Sequence, residues 1–327
     1  MTRTALATLA TPFAAAMLVG GVLVATHHTT VPPLTTSAAS LGSKRAAPRP
    51  ARHPARCERA EPREPFAGIA INPGITPHVK AFQRATGAHI QLVEFYNPFT
   101  SPFQRWEAQQ VTALGALPLI QLNPRNVSLK RIAAGRYDKR IRRYADAIRA
   151  FRCRVVLSFG HEMNGWWYTW GLPWTTPATF IAAWRHIHDI FASEHASNVI
   201  WSWDPSHLYQ HYAHKSASLA SEWYPGDAYV DWIGLDGYLR TGTTFEGIFG
   251  RQLRNIRSVT SKPVYIAETG VTSGPSQAGQ ITGLFAAVRK FRLTGLVWFD
   301  LDAKEPWRLE GRPAGLAAYR KAVATFP

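Results

Sequence analysis

Two glutamates stand where a carboxyl group can be put to chemical use. Glu162 follows the apolar run Val155-Val156-Leu157-Ser158-Phe159 and the break at Gly160, inside His161-Glu162-Met163-Asn164-Gly165. Glu268 closes a second run, Pro263-Val264-Tyr265-Ile266-Ala267, just before Thr269-Gly270. Short β-branched and apolar runs that stop at glycine read as buried strands. Each glutamate therefore leaves the C-terminal end of a buried strand. Paired carboxyls in such places suit cleavage of a glycosidic bond: one protonates the leaving oxygen, and the other attacks the anomeric carbon or activates water. Read singly, either residue is equally a charge leaving a strand for solvent. What favours chemistry at Glu162 is its company, the polar trio His161, Glu162 and Asn164 backed by Trp166, Trp167, Tyr168 and Trp170.

The acid of such a pair must hold its proton near neutral pH while its partner is ionised, so the two need unlike surroundings. Trp166, Trp167 and Trp170 supply low polarity around Glu162, which raises a carboxyl pKa. Tyr238 can donate to an ionised Glu268. His161, Asn164 and Asp236 can bond sugar hydroxyls. The tryptophans after Glu162, with Trp201, Trp203 and Trp298, offer apolar faces for stacked sugars along an open cleft.

These groups need a frame. From Phe66 onward strands and helices alternate. Strands are expected at Phe66–Ile71, Ile90–Phe95, Pro118–Leu122, the Glu162 run, Asn198–Trp203, Val230–Leu235, the Glu268 run and Leu296–Phe299. Helices are expected near 77–86, 102–114, 137–150, 177–194, 245–259, 276–291 and 313–324. Eight strands in about 260 residues point to a single closed (β/α)8 barrel rather than an open doubly wound sheet. Asn72-Pro73-Gly74-Ile75, after the first strand, is no phosphate-binding glycine loop. In a barrel the reacting groups gather at the strands' C-terminal ends, where Glu162 and Glu268 fall on strands four and seven.

Outside the barrel, residues 1–26 start with Arg3 and then run apolar, as a secretory signal or an uncleaved membrane anchor does. Residues 27–65 are rich in Pro, Ala, Ser, Thr and Arg and read as a disordered linker. The catalytic domain is expected over 66–327. Location outside the cell, free or tethered to the outer face of the membrane, follows from the leader. The two cysteines of an exported chain, Cys57 and Cys153, are expected to form a disulfide. The formal charge of +16 raises nucleic acid as a partner. The charges, however, collect on the linker and on one amphipathic helix holding Arg136, Lys139, Arg140, Arg142, Arg143 and Arg149, so no nucleic-acid partner is expected.

On these residues the chain resembles glycoside hydrolase family 26 over roughly 66–325. The match rests on His161-Glu162-Met163-Asn164-Gly165 with Trp167-Tyr168 and Trp170-Gly171, on Tyr224-Pro225-Gly226-Asp227 with Val230-Asp231, on Gly234-Leu235-Asp236-Gly237-Tyr238, on Pro263 to Glu268, and on Trp298. The resemblance implies a retaining endo-β-glycosidase with Glu162 as acid/base and Glu268 as nucleophile. It implies that His161 touches the sugar, that Tyr238 orients Glu268, and that Trp167 and Trp298 are sugar platforms. Ser158-Phe159-Gly160 before the His-Glu pair, and Asn123 where many mannanases of the family carry histidine, depart from the commonest mannanase pattern. β-Mannan and mixed-linkage β-glucan both stay open as substrates. The expected substrate-binding set is His161, Asn164, Trp167, Trp170, Trp203, Asp236, Tyr238, Trp298 and Asn123. No cofactor or metal is expected, and the chain is expected to act as a monomer on a polysaccharide.

Three other readings compete. A zinc-protease motif needs a histidine where Gly165 stands. His207, His211 and His214 have metal-compatible spacing but read more simply as the wall of a polar loop. A non-catalytic carbohydrate-binding barrel would keep the tryptophans without needing both strand-end glutamates. Asp300 and Asp302, after strand eight, either line the cleft or cap the last helix.

Overall fold

A computed structural model describes residues 62–72, 74–208, 218–303 and 305–327. Eight parallel strands close into one barrel: β1 (Phe66–Ala70), β2 (Ile90–Pro98), β3 (Leu117–Asn123), β4 (Val155–Phe159), β5 (Val199–Trp203), β6 (Trp232–Asp236), β7 (Val264–Thr269) and β8 (Gly295–Phe299). Around them lie α1 (Ile75–Thr86), α2 (Arg105–Ala113), α3 (Leu129–Ala133), α4 (Asp138–Phe151), α5 (Pro177–Ser193), α6 (Arg251–Arg257), α7 (Gln277–Lys290) and α8 (Pro313–Val323). The (β/α)8 expectation holds, with element ends moved by a few residues. Two differences stand out. A short α3 precedes α4, and the β5–β6 crossover carries, among the described residues, only 3-10 turns at Ala220–Trp223 and Asp227–Tyr229.

Strand pleating sorts the side chains into two shells. Outward residues such as Ile69, Val93, Ile120, Leu157, Trp203 and Trp298 pack against the helices. Inward residues such as Leu92, Leu119, Val156, Ile200, Tyr265 and Val297 fill the barrel. At its lower end Phe66, Trp232 and Tyr265 make an aromatic floor, with ring centroids 5.6–6.1 Å apart. Above that floor the inward positions turn polar: Glu94, Gln121, Ser158, Ser202, Asp204 and Asp236 are all completely buried. An apolar base and a polar mouth follow from one rule of alternation, carried along strands whose C-terminal halves exchange apolar for polar residues.

The basic helix is α4, as expected, with Ile141, Tyr144, Ala145 and Ile148 turned inward and its arginines outward. Arg149 pairs with Asp146, and Arg142 with Glu194. The leader and most of the linker fall outside the described residues. Arg63, inside the expected linker, already packs on the barrel: its N–H donates to Gln91 Oε1 at 2.8 Å. Cys153 is buried at the foot of β4 and is not free, while Cys57 falls outside the described residues.

Candidate active site

β4 delivers Glu162 through a sharp turn. Gly160 has φ 61° and Glu162 itself has φ 53°, a conformation that costs a non-glycine residue about 1–2 kcal/mol. Two backbone bonds hold it there. The Glu162 N–H donates to Asp204 O at 2.7 Å, and Gly165 N–H donates to Glu162 O at 2.9 Å. The side chain ends almost buried, and Trp167 Nε1–H donates to its Oε2 at 2.5 Å. That bond needs Gly165: a Cβ there would lie 2.4 Å from the Trp167 ring. Burial, and then the nearby negative charge of Glu268, push the Glu162 carboxyl up to about 8, against a smaller lowering by the Trp167 bond. Glu162 therefore carries its proton at neutral pH, as a general acid must.

Glu268 reaches the same space by a different device. Tyr265 and Ala267 point into the barrel, so strict alternation along β7 would turn Glu268 outward. Instead the register with both neighbours slips: Gly234 pairs with Tyr265 but Asp236 with Glu268, and Leu296 with Ile266 but Trp298 with Thr269. β7 thus holds one extra residue against each neighbour, a β-bulge that re-aims the side chain. Glu268 then accepts a hydrogen bond at each oxygen, from Tyr96 O–H at Oε1 and Tyr238 O–H at Oε2, both 2.7 Å. Two phenol donors stabilise negative charge on this carboxylate and fix its plane. Tyr238 is itself braced by Trp307 (centroids 4.6 Å apart) and Phe299 (5.6 Å).

His161 lies between the two. Its Nδ1 is 2.9 Å from Asn123 Oδ1, which assigns Nδ1 as the protonated nitrogen, and its Nε2 is 3.3 Å from Tyr168 O–H and 4.0 Å from Glu268 Oε1. Burial lowers its pKa, so the ring is neutral at pH 7. Asp236 is completely buried next to Glu268. Desolvation first, and then Glu268 and Glu162, raise its pKa well above the carboxylate range.

Several expected sugar contacts are placed elsewhere. Asn164 is fully buried and fully engaged: its Nδ2 donates to Ser206 O and Ser218 O, and its Oδ1 accepts from Ser206 N–H. It clamps the loop after β4 to the loop after β5. Trp203 faces the helix shell, edge-on to Tyr224 at 5.0 Å. Trp298 also faces outward, against Tyr319 of α8 at 5.4 Å. Both are wholly buried, because the pleat gives the inward side of β8 to Val297 and Phe299. Trp170 is buried too: it stacks on Tyr168 at 4.3 Å and its Nε1–H donates to His161 O. It supports the histidine instead of a sugar. Asp236 has no accessible surface to offer a hydroxyl. The aromatic surface left open near Glu162 comes from Trp166, Trp167 and Tyr168, half-buried; farther along the chain Trp174 is 69% exposed.

Sequence reasoning missed Tyr96, Glu94, Asp204, Gln121 and Trp307. For Tyr96 a signal existed, since Glu94-Phe95-Tyr96-Asn97 puts polar groups at the end of an apolar strand. Asp300 neither lines the cleft nor caps α8: its Oδ2 is 2.7 Å from His78 Nε2, tying β8 to α1, while Asp302 meets Arg308 at the surface. His207 is buried and lowered by desolvation to about 4. His211 and His214 lie outside the described residues.

A family model described as Glycosyl hydrolase family 26 matches residues 71–298. A relative named Endoglucanase H, from Acetivibrio thermocellus, is 31% identical over 263 residues, 75% of this chain and 29% of its own length. A mannan endo-1,4-beta-mannosidase A and B from Caldalkalibacillus mannanilyticus is 30% identical over 117 residues, 34% of this chain and 20% of its own length. The chain thus spans less than a third of the length of either relative. Among solved structures, a Cellulomonas fimi endo-beta-1,4-mannanase double mutant has a TM-score of 0.63 at 18% identity, covering 82% of this chain and 71% of that one. A GH26 beta-mannanase from Bacteroides ovatus has a TM-score of 0.58 at 16% identity, over 83% and 91%. At these identities the structures speak for the fold.

Proposed function

The chain belongs to glycosyl hydrolase family 26 and is a glycosidase; from that premise we propose that it cuts a neutral β-linked hexose polymer internally, with retention of anomeric configuration. One observation carries the assignment. Of the two strand-end glutamates, Glu162 is held protonated up to about pH 8, while Glu268 receives a hydrogen bond on each oxygen.

Double displacement follows. Glu268 attacks the anomeric carbon as Glu162 gives its proton to the leaving oxygen, and a glycosyl ester forms on Glu268. Glu162, now ionised, then takes a proton from water as that water attacks the same carbon and releases Glu268. Tyr96 and Tyr238 hold the nucleophile's plane through both steps. His161, neutral and 4.0 Å from Glu268, offers Nε2 to a hydroxyl of the sugar beside the cleaved bond. The loop of Trp166, Trp167 and Tyr168 supplies the stacking face. A relative matched over most of this chain is named an endoglucanase and others are named mannosidases, so β-mannan and mixed-linkage β-glucan are the two substrates to set side by side. An exported chain with a Cys57–Cys153 disulfide completes the reading; peptide mapping under non-reducing conditions tests that bond.

The deciding experiment runs galactomannan, glucomannan, barley β-glucan and xylan in parallel, with viscosity and reducing ends followed together. An early fall in viscosity on mannan or β-glucan, with first products of retained configuration by NMR, is expected. Inverted products, or monosaccharide released at constant viscosity, would overturn the mechanism or the internal mode of attack.

A further inference from the structure

Beneath the nucleophile lies a carboxyl group that the mechanism above leaves unused. Glu94 is on β2, two residues before Tyr96 and on the same inward face, so it sits one pleat below the phenol that donates to Glu268. It is completely buried, and neither of its oxygens accepts a hydrogen bond. No Lys, Arg or His pairs with it among the described residues. The ionisable groups around it are acidic: Glu268 from β7 and Asp204 beyond β5 act on it directly, Asp236 of β6 shares the same cluster, and Tyr96 and Tyr265 border it.

A second orphan lies beside it. Gln121 of β3 donates through Nε2 to Asp204 Oδ2 at 3.0 Å, yet its own Oε1 accepts nothing. Asp204 is in turn fixed by Ser202 O–H at 2.5 Å and Gly234 N–H at 3.1 Å, and a Cβ at position 234 would strike Asp204 Oδ1. The Gln121 amide is thereby held with its oxygen free. A buried carboxylate beside an amide oxygen without a donor is an arrangement that one proton relieves, because it removes the buried charge and supplies a donor to the amide oxygen.

We propose, on the reading of Glu268 as nucleophile, that Glu94 is a positioning residue held as a neutral carboxylic acid, whose O–H is shared between Gln121 Oε1 and Glu268. In this form it adds a third donor to the nucleophile's surroundings and keeps a second negative charge away from them. Desolvation, and then the charges of Glu268 and Asp204, raise its pKa well above the carboxylate range, against a smaller lowering by the neighbouring Gln121 amide. Asp236, raised by the same causes, lies to the side of Glu268. Both Asp236 oxygens are likewise without a hydrogen-bond partner, but it is Glu94 that neighbours the Gln121 amide, whose oxygen is also unpartnered.

Glu94→Gln tests this, because an amide keeps the shape and an N–H donor but cannot ionise. Expected for Glu94→Gln are kcat and KM within about threefold of the parent and an unmoved acid limb of kcat/KM against pH. The infrared spectrum at pH 7 should lose one protonated-carboxyl C=O band relative to the parent. Glu94→Leu, which keeps the bulk and removes the donor, should lower kcat ten- to a hundredfold with KM little changed. A hundredfold loss in Glu94→Gln, or an acid limb moved down by a unit or more, would show that Glu94 works as a charge and would overturn the proposal. So would an unchanged carboxyl band, or parental kcat in Glu94→Leu. Should Glu94→Leu fail to fold, the glutamine variant decides alone. Glu268→Ala is the control on the underlying reading: if it stays active, Glu268 is not the nucleophile, while the infrared result on Glu94 still stands by itself.

Discussion

Replacing Trp167 by phenylalanine isolates the bond that tunes the acid. The indole Nε1–H donates to Glu162 Oε2 at 2.5 Å, and the donor acts to lower a carboxyl that burial and Glu268 have pushed up to about 8. Phenylalanine keeps an aromatic face over Gly165 and removes only the donor. A hydrogen bond to a charged group contributes about 1.5–3 kcal/mol, and one pKa unit corresponds to about 1.4 kcal/mol. Losing it removes stabilisation from the ionised form alone, so the Glu162 pKa should rise by about 1–2 units. The alkaline limb of kcat/KM on polysaccharide, set near pH 8 in the parent, should move up by that amount. Turnover at neutral pH should fall only a few-fold, since a weaker acid transfers its proton less readily. The assay is initial rate against pH from about 5 to 10.5, at substrate well below KM, with circular dichroism to confirm the fold at each end. A limb that stays in place, or moves down, would refute either the bond or the identification of Glu162 as the group that titrates.

Three further outcomes follow. Glu162→Gln should lower turnover on polysaccharide 10²–10⁴-fold, with a much smaller loss on an aryl glycoside whose leaving group needs no proton. The same variant should be more stable than the parent at pH 9: with the folded pKa raised to about 8, the parent loses stability as pH climbs from the unfolded value through 8. The gap should be on the order of a few kcal/mol, closing near pH 4 in thermal melts. Tyr96→Phe and Tyr238→Phe each remove one donor from Glu268 and should each lower kcat/KM about ten- to a hundredfold while melting temperatures stay close to the parent's. Asn164→Ala should lower stability by about 1–3 kcal/mol in denaturant melts, since it strands Ser206 N–H and Ser218 O, while Ser206 O keeps its bond from Gln252 Nε2. If it raised KM without touching stability, Asn164 would be a sugar contact after all.

The sequence by itself determined the frame and singled out the two strand-end glutamates as the candidate pair. Strand and helix order, the closed barrel and the places of Glu162 and Glu268 at the ends of β4 and β7 all rest on local patterns: apolar runs, glycine stops and amphipathic period. Tyr238 as a partner of Glu268 and the tryptophan-lined surroundings of Glu162 were legible in the same way. Only the tertiary structure decided which way each side chain faces. Trp203 and Trp298 read as strand-end aromatics, yet the pleat turns them to the helices, because the facing of a strand residue is set by register against its neighbours. Glu268 would have faced outward too, were it not for the extra residue in β7, and a bulge is a property of paired strands that no single strand announces. Tyr96 meets Glu268 across 172 residues of chain, and Gln121 meets Asp204 across 83. Those contacts exist because eight strands close on one another, which brings polar groups of distant segments into one dry space where each must find a donor or keep a proton.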